Sequence, residues 1–146
     1  MQIVVFEVED WERGAFEALE PHHDVVLVRE PLTGDNVADY PDAEIISVFI
    51  YSDLGEAVLS QLDELRMIAT RSTGFDHVAV DYCREQDIVV CNVPTYGDNT
   101  VAEHVFGLLL AISHNLVEAI DRTRRGDFSL DGLRGFDLKG KTLGVI

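Results

Sequence analysis

The stretch Met67-Ile-Ala-Thr-Arg-Ser-Thr-Gly-Phe-Asp-His77 decides the predicted fold of this chain. Its first four residues form a short apolar run without alternation between apolar and polar positions, which is typical of a strand covered on both faces. A polar turn containing Gly74 follows, and a helical pattern begins at Val78. A strand, a turn and a helix in this order predict one unit of a parallel α/β sheet.

The same pattern recurs on both sides of this stretch. Five runs rich in β-branched residues predict strands, and they cover Ile3 to Val8, Val25 to Val28, Ile45 to Ile50, Met67 to Thr70 and Ile88 to Val93. Helices or helical turns are predicted between them at Trp11 to Leu19, Gly34 to Tyr40, Leu54 to Leu62 and Val78 to Gln86. Five strands joined by four crossovers predict a flavodoxin-like, doubly wound parallel sheet.

A different organisation begins after the fifth run. One long helix is predicted from Thr100 to about Arg124, because Thr100-Val-Ala-Glu103 has the spacing of a capping box and Gly126 ends the pattern. Residues 142–146 read as a further strand with no neighbour to pair with. Since natural domains rarely end on an unpaired apolar strand, we expect the chain to stop inside a second domain.

Composition limits the classes of partner. The chain has 27 acidic and 11 basic residues and a formal charge of -16, which repels nucleic acid and anionic membranes. We therefore expect neither partner, and the longest apolar run, Val105 to Ile112, is too short to cross a bilayer.

The two cysteines, Cys83 and Cys91, are predicted to be free, reduced thiols, which favours a cytoplasmic location. The five His and two Cys lack metal-ligand spacing, so no metal is expected.

Ligands of open parallel sheets bind at the carboxyl ends of the strands. This rule selects three loops as the candidate site, at residues 51–53, 71–77 and 94–100. In the second loop, a positive φ at Gly74 would turn the amides of Thr73, Gly74 and Phe75 toward one anion, such as a carboxylate. The alternative is an ordinary turn between strand and helix.

Other residues of these loops each have two interpretations. Arg71 attracts an anionic substrate or pairs with a neighbouring acid. Tyr96 presents its hydroxyl to the ligand or packs over its own loop. Asp76 is expected to cap the helix near Val78, and His104 is expected to be structural because no partner for a catalytic dyad stands nearby.

A phospho-receiver domain is the rival interpretation from a different class. Glu7, Glu9 and Asp10 after the first strand are suited to hold magnesium, and Asp53 after the third to accept a phosphoryl group. A receiver also needs a lysine after the fifth strand, and that strand ends at Asn92-Val-Pro94 instead. The missing lysine counts against signalling.

Three linked motifs, Ala69-Thr-Arg-Ser-Thr-Gly-Phe-Asp-His77, Ile88-Val-Val-Cys-Asn-Val-Pro-Thr-Tyr96 and Asn99-Thr-Val-Ala-Glu-His104, resemble those of the D-isomer-specific 2-hydroxyacid dehydrogenases, closest to their D-lactate dehydrogenase-like branch. The resemblance implies a substrate domain at residues 1–98 and, at 99–146, the start of an NAD-binding Rossmann domain with its interdomain helix, loop and first strand. It also implies a homodimer.

The same resemblance assigns roles to residues of the chain. The substrate carboxylate would bind at Thr73, Gly74 and Phe75, and two tyrosines, Tyr51 and Tyr96, would shape the pocket. Thr100 and Val101 would approach the cofactor.

What the chain lacks is equally specific. The Arg, Glu and His that perform catalysis in this family have no matching positions here, and neither has the G-x-G-x-x-G loop. We therefore expect the whole protein to transfer hydride between NAD(H) and a small D-2-hydroxy acid or 2-keto acid, such as D-lactate or pyruvate. The chain alone should be inactive. Because the family includes transcriptional corepressors, a non-catalytic binding or assembly role stays open for the whole protein.

Overall fold

The computed structural model describes residues 1–145. Its strands are β1 (Gln2–Val5), β2 (Asp24–Leu27), β3 (Ile45–Val48), β4 (Met67–Thr70) and β5 (Val89–Cys91). Its helices are α1 (Arg13–Glu17), α2 (Glu56–Leu59), α3 (Val80–Glu85), α4 (Asp98–Ser113) and α5 (Leu116–Arg124), with a 3-10 turn at Val37–Asp39. The chain divides into two compact units, one up to Tyr96 and one from Gly97 onward.

The five strands of the first unit form one parallel sheet in the order β2-β1-β3-β4-β5. This order is that of a flavodoxin-like doubly wound domain, as the sequence predicts. In β1, Val4 faces the larger apolar cluster and Ile3 and Val5 face a smaller one on the opposite side. Apolar packing on both faces explains why the strands carry no alternation.

The strands are shorter than predicted at their carboxyl ends. β1 stops at Val5 rather than Val8, because Glu7 has a left-handed backbone with φ 58° that ends the extended conformation. β3 stops at Val48 rather than Ile50, since the next amides bond the Glu7 side chain instead of a strand. Hydrophobic periodicity in a sequence does not show that a side chain will compete with a neighbouring strand for main-chain amides.

The single long helix predicted from Thr100 to Arg124 is wrong. Asn115 adopts φ 49° between α4 and α5, and a left-handed residue cannot continue a right-handed helix. Asparagine tolerates this conformation better than most residues, and its side-chain amide donates to the Leu133 carbonyl at 3.3 Å. The helix does end before Gly126, which has φ 78°.

The predicted capping box is also wrong. α4 begins at Asp98, with Gly97 as its N-cap and no side-chain cap hydrogen bond. Thr100 and Glu103 therefore lie inside the helix, beyond the N-cap position at which a capping side chain acts.

The strand predicted at the end of the chain does not form at residues 142–145, and Ile146 lies outside the described residues. A strand needs a hydrogen-bonded neighbour, and the described chain offers none there. Within residues 1–145 no single helix is long and apolar enough to cross a membrane. α4 and α5 meet the criterion only when joined across their 67° bend.

We predict that Ile68→Ala lowers the free energy of unfolding of the first unit by about 2 to 5 kcal/mol, because Ile68 on β4 is fully buried. Urea unfolding followed by circular dichroism measures the change. Val89→Ala on the edge strand β5 is the control, because Val89 is 56% exposed and should cost below about 1 kcal/mol. Equal losses for the two variants would contradict the assigned core.

Candidate functional site

A cleft of about 690 Å³ opens in the first unit near the carboxyl ends of the strands. Two of the predicted site residues, Tyr51 and Tyr96, line it, and their side chains are largely exposed. Apolar surface comes from Trp11, Pro31 and Phe49. The remaining lining residues are charged: Glu7, Glu9, Glu12, Arg29 and Arg71. Apolar and charged side chains thus lie side by side in this cleft.

The Glu7 carboxylate, on one wall of this cleft, binds the turn that follows β3. Its Oε2 accepts the amides of Ile50 and Tyr51, each at 2.9 Å, and its Oε1 accepts those of Phe49 at 3.3 Å and Ser52 at 3.0 Å. The Ser52 hydroxyl also donates to Oε1. Five donors use the acceptor capacity of a carboxylate. One side chain therefore orders four successive amides.

These contacts keep Glu7 charged. Burial alone would raise the pKa of Glu7, but the hydrogen bonds from the Ser52 hydroxyl and the three preceding amides outweigh it and hold the pKa below its ordinary value of 4.5. The left-handed backbone of Glu7 costs on the order of 1 to 3 kcal/mol, which the surrounding contacts must offset.

Arg71 is occupied by protein groups. Its guanidinium bonds the Glu12 carboxylate at 3.0 Å and the Ser47 hydroxyl at 3.2 Å, and it donates to the Phe6 and Glu7 carbonyls, each at 2.9 Å. Both side chains of the ion pair are mostly buried. Of the two interpretations of Arg71, pairing with an acid is thus the one observed, and Arg71 ties the end of β4 to the end of β1.

The turn after β4 carries the predicted carboxylate-binding amides. Thr73, Gly74 and Phe75 are exposed, and within residues 1–145 their amides donate no hydrogen bond. They are not among the residues that line the cleft. The turn is attached to the neighbouring loop, since the Ser72 hydroxyl shares its proton between the carbonyls of Gly74 at 2.7 Å and Phe49 at 3.4 Å.

Further bonds tie the turn to the loop after β5. The Thr73 hydroxyl donates to the Val93 carbonyl at 2.9 Å, and the Asn92 side chain donates to the Thr73 carbonyl at 2.8 Å. Together with the bonds of Ser72, these contacts join the turn to the segments that carry Tyr51 and Tyr96.

Two local predictions for this turn are wrong. Gly74 does not have a positive φ, so a left-handed glycine does not set the direction of the amides in this turn. Asp76 does not cap α3, which begins at Val80 with Ala79 as its N-cap and without a side-chain cap bond. The helix starts two residues later than predicted, beyond the reach of a short carboxylate.

The predicted cofactor residues belong to the second unit. Thr100 and Val101 are exposed in the first turns of α4, and the Val101 amide is already bonded to the Gly97 carbonyl at 3.1 Å. Of these two residues, Val101 can therefore offer a coenzyme only its side chain. The sequence contains no G-x-G-x-x-G loop, so a dinucleotide pyrophosphate finds no matching cradle in this chain. His104 is exposed on the same helix.

The structure does not support the receiver interpretation. Glu7, the first proposed magnesium ligand, is fully engaged by amides, and the Asp53 carboxylate accepts the Gly55 amide at 2.9 Å. Among residues 1–145, no three His, Cys, Asp or Glu side chains come together to hold a metal ion.

Sequence reasoning missed the role of Glu7. Because Glu7 follows β1, the sequence suggests it only as a metal ligand. Nothing in the residues from Phe49 to Ser52 indicates that four amides lack a main-chain partner. The one available signal is an acidic residue directly after a buried strand, at the edge where ligands bind.

We predict that Glu7→Gln lowers the free energy of unfolding by about 1 to 3 kcal/mol at neutral pH, because an amide cannot accept all five hydrogen bonds. A depressed pKa in the folded state stabilises the protein above 4.5, and this contribution is lost as the pH falls through the folded pKa. The gap between wild type and variant should therefore close below pH 4.5 in urea titrations. Glu17→Gln, at the exposed end of α1, is the control, and a gap independent of pH would refute the assignment.

Comparison with known proteins places these features in one family. The model of the catalytic domain of the D-isomer specific 2-hydroxyacid dehydrogenases matches residues 3–133. A 2-hydroxyacid dehydrogenase homolog from Zymomonas mobilis is 31% identical over 150 residues, which is all of this chain and 45% of that protein. D-lactate dehydrogenase from Escherichia coli is 38% identical over 105 residues, which is 70% of this chain and 32% of that protein.

A crystal structure of D-lactate dehydrogenase from Aquifex aeolicus, complexed with NAD and lactic acid, is similar in fold. It matches with a TM-score of 0.86 and 30% identity over 93% of this chain and 41% of that one. The chain thus spans less than half the length of these relatives. A parallel sheet in the order 2-1-3-4-5, a family match over nearly the whole chain and relatives along its full length show that this chain belongs to the D-isomer-specific 2-hydroxyacid dehydrogenase family.

Proposed function

We propose that the whole protein containing this chain transfers hydride between NAD(H) and a small D-2-hydroxy acid or 2-keto acid, such as D-lactate and pyruvate. In this proposal the chain supplies the wall that holds the acid. The family match and the relatives named D-lactate dehydrogenase support this activity. Because the chain covers 45% of the length of its Zymomonas relative, the activity belongs to the whole protein.

The turn after β4 is the observation that carries the proposal. Three successive residues, Thr73, Gly74 and Phe75, are exposed, and their amides have no acceptor within residues 1–145. Consecutive amides of this kind suit the two oxygens of a carboxylate. They supply donors without a full positive charge, so the chain can bind an acid even though its formal charge is -16.

Tyr51 and Tyr96 extend the proposed site beyond the carboxylate. Both line the cleft, and each presents an apolar ring with a hydroxyl that can donate a hydrogen bond. We assign to them contacts with the rest of the acid, since they stand on the segments to which the turn after β4 is hydrogen-bonded.

The division of labour in the whole protein follows the same logic. We propose that residues 1–98 form most of the substrate domain and that residues 99–146 begin the NAD-binding domain, where Thr100 and Val101 contact the coenzyme. The separation of contacts after Tyr96 supports this boundary. In this proposal NADH donates the hydride to the 2-keto acid and NAD accepts it in the reverse direction, and the main coenzyme-binding residues belong to the part of the protein outside this chain. Exposed apolar residues on α4, such as Val105 and Ile112, support a homodimer, and reduced cysteines support a cytoplasmic location.

We predict that the whole protein oxidises NADH when supplied with at least one acid from a panel of pyruvate, glyoxylate and hydroxypyruvate. The 146-residue chain should show no turnover, because it lacks both the coenzyme cradle and the family's catalytic Arg, Glu and His. Absorbance of NADH at steady state measures both. Turnover by the chain alone would refute the domain assignment, and an inactive whole protein would favour a non-catalytic binding role.

We also predict that Gly74→Ala in the whole protein raises the KM for the acid by about tenfold and leaves the KM for NADH unchanged. The added methyl group would lie 3.8 Å from Asp76 Oδ2, an ordinary contact, and the backbone needs no positive φ, so the fold should tolerate it. It would nevertheless crowd the amides that bind the carboxylate. Gly34→Ala, which meets no atom within 4 Å, is the matched control. An unchanged KM for the acid would argue against this site.

A further inference from the structure

We propose that Glu7 is a positioning residue for the proposed substrate site, because its carboxylate holds the turn from Phe49 to Ser52 in the conformation that places Phe49 and Tyr51 along the cleft. The inference rests on the proposed function for its effect on substrate, and on the hydrogen bonds of Glu7 for its effect on the turn. Glu7 touches no reacting atom in this account. It acts through the turn.

The geometry of the turn depends on a single acceptor group. Four successive amides converge on the Glu7 carboxylate at 2.9 to 3.3 Å. Amides in a regular strand point alternately to opposite sides, so their convergence means that the chain has left the strand conformation to surround an anion. Without that anion the four amides would have no acceptor in common, and the turn would have no reason to keep this shape.

The turn held by the Glu7 carboxylate contains residues of the cleft and a buried residue. Phe49 and Tyr51 line the cleft, whereas Ser52 is 2% exposed and points into the protein. The Ser52 hydroxyl donates to Glu7 and accepts the Leu32 amide at 2.9 Å. Two groups therefore hold the turn, the buried Ser52 hydroxyl and the Glu7 carboxylate at the end of β1.

The backbone of Glu7 indicates that this anchor is specific. Glu7 has φ 58°, a conformation that is unfavourable for a glutamate and is found where the surrounding structure imposes it. It directs the side chain from the end of β1 to the end of β3, across 42 to 45 positions of sequence.

The anchor also reaches the turn that carries the carboxylate-binding amides. The amide of Phe49 donates to Glu7, and the carbonyl of Phe49 accepts a hydrogen bond from the Ser72 hydroxyl. The same hydroxyl also donates to the Gly74 carbonyl. A loosened 49–52 turn would therefore release one of the contacts that fix the residues around Gly74.

The test uses Glu7→Gln in the whole protein, with Glu17→Gln as the charge-matched control. We expect the KM for the 2-keto acid to rise by about five- to twentyfold, with kcat within about twofold and the KM for NADH unchanged. A residue that only stabilised the fold would reduce the amount of active protein and leave the KM for the acid as it was. Hydrogen exchange, measured by mass spectrometry on peptides spanning residues 49–52, should become faster in Glu7→Gln and not in Glu17→Gln.

The outcomes separate this inference from the proposed function. If wild type reduces no 2-keto acid, the proposed function fails and the exchange measurement alone decides whether Glu7 orders the turn. If wild type is active and Glu7→Gln changes neither the KM for the acid nor the exchange, the inference is overturned and the function stands. Should Glu7→Gln fail to fold, Glu7→Asp replaces it, because its carboxylate is one methylene shorter. An Asp variant with wild-type KM and wild-type exchange would overturn the proposal.

Discussion

The site depends on main-chain amides that are released at the carboxyl ends of β3 and β4. A parallel strand stops pairing when its neighbour ends, and the next amides must find another acceptor. After β3 the acceptor is the Glu7 carboxylate of the same chain. After β4 the amides of residues 73–75 have no acceptor within the described chain. The first turn thus binds an internal carboxylate, and in the proposed function the second would bind the carboxylate of the acid in the same way.

This arrangement also resolves an electrostatic difficulty. A chain with a formal charge of -16 repels a 2-keto acid at a distance, and Arg71, which lines the cleft, is already paired with Glu12. Amide donors act over hydrogen-bonding distance and need no net charge. The proposed binding of the acid would therefore depend on local geometry, and groups that hold the turns in place would matter as much as groups that touch the acid.

The chain and its relatives differ in extent as well as in sequence. It covers 45% of the Zymomonas homologue and 41% of the Aquifex enzyme, and its match includes the complete five-stranded sheet. In the proposed function, hydride transfer needs a coenzyme beside the acid, and this chain would form one wall of that site.

The sequence alone determined the sheet, its parallel order and the family, because these depend on continuous apolar runs and on motifs that each lie within one segment. It also placed Tyr51 and Tyr96 in loops at the carboxyl ends of the strands, and both line the cleft. Only the tertiary structure decided the ends of the strands, the break at Asn115, the pairing of Arg71 and the role of Glu7. Each of these depends on a partner far away in sequence or on a local backbone reversal. Hydrophobic periodicity reports which residues are buried, and it contains no information about which polar group a particular amide or guanidinium will find.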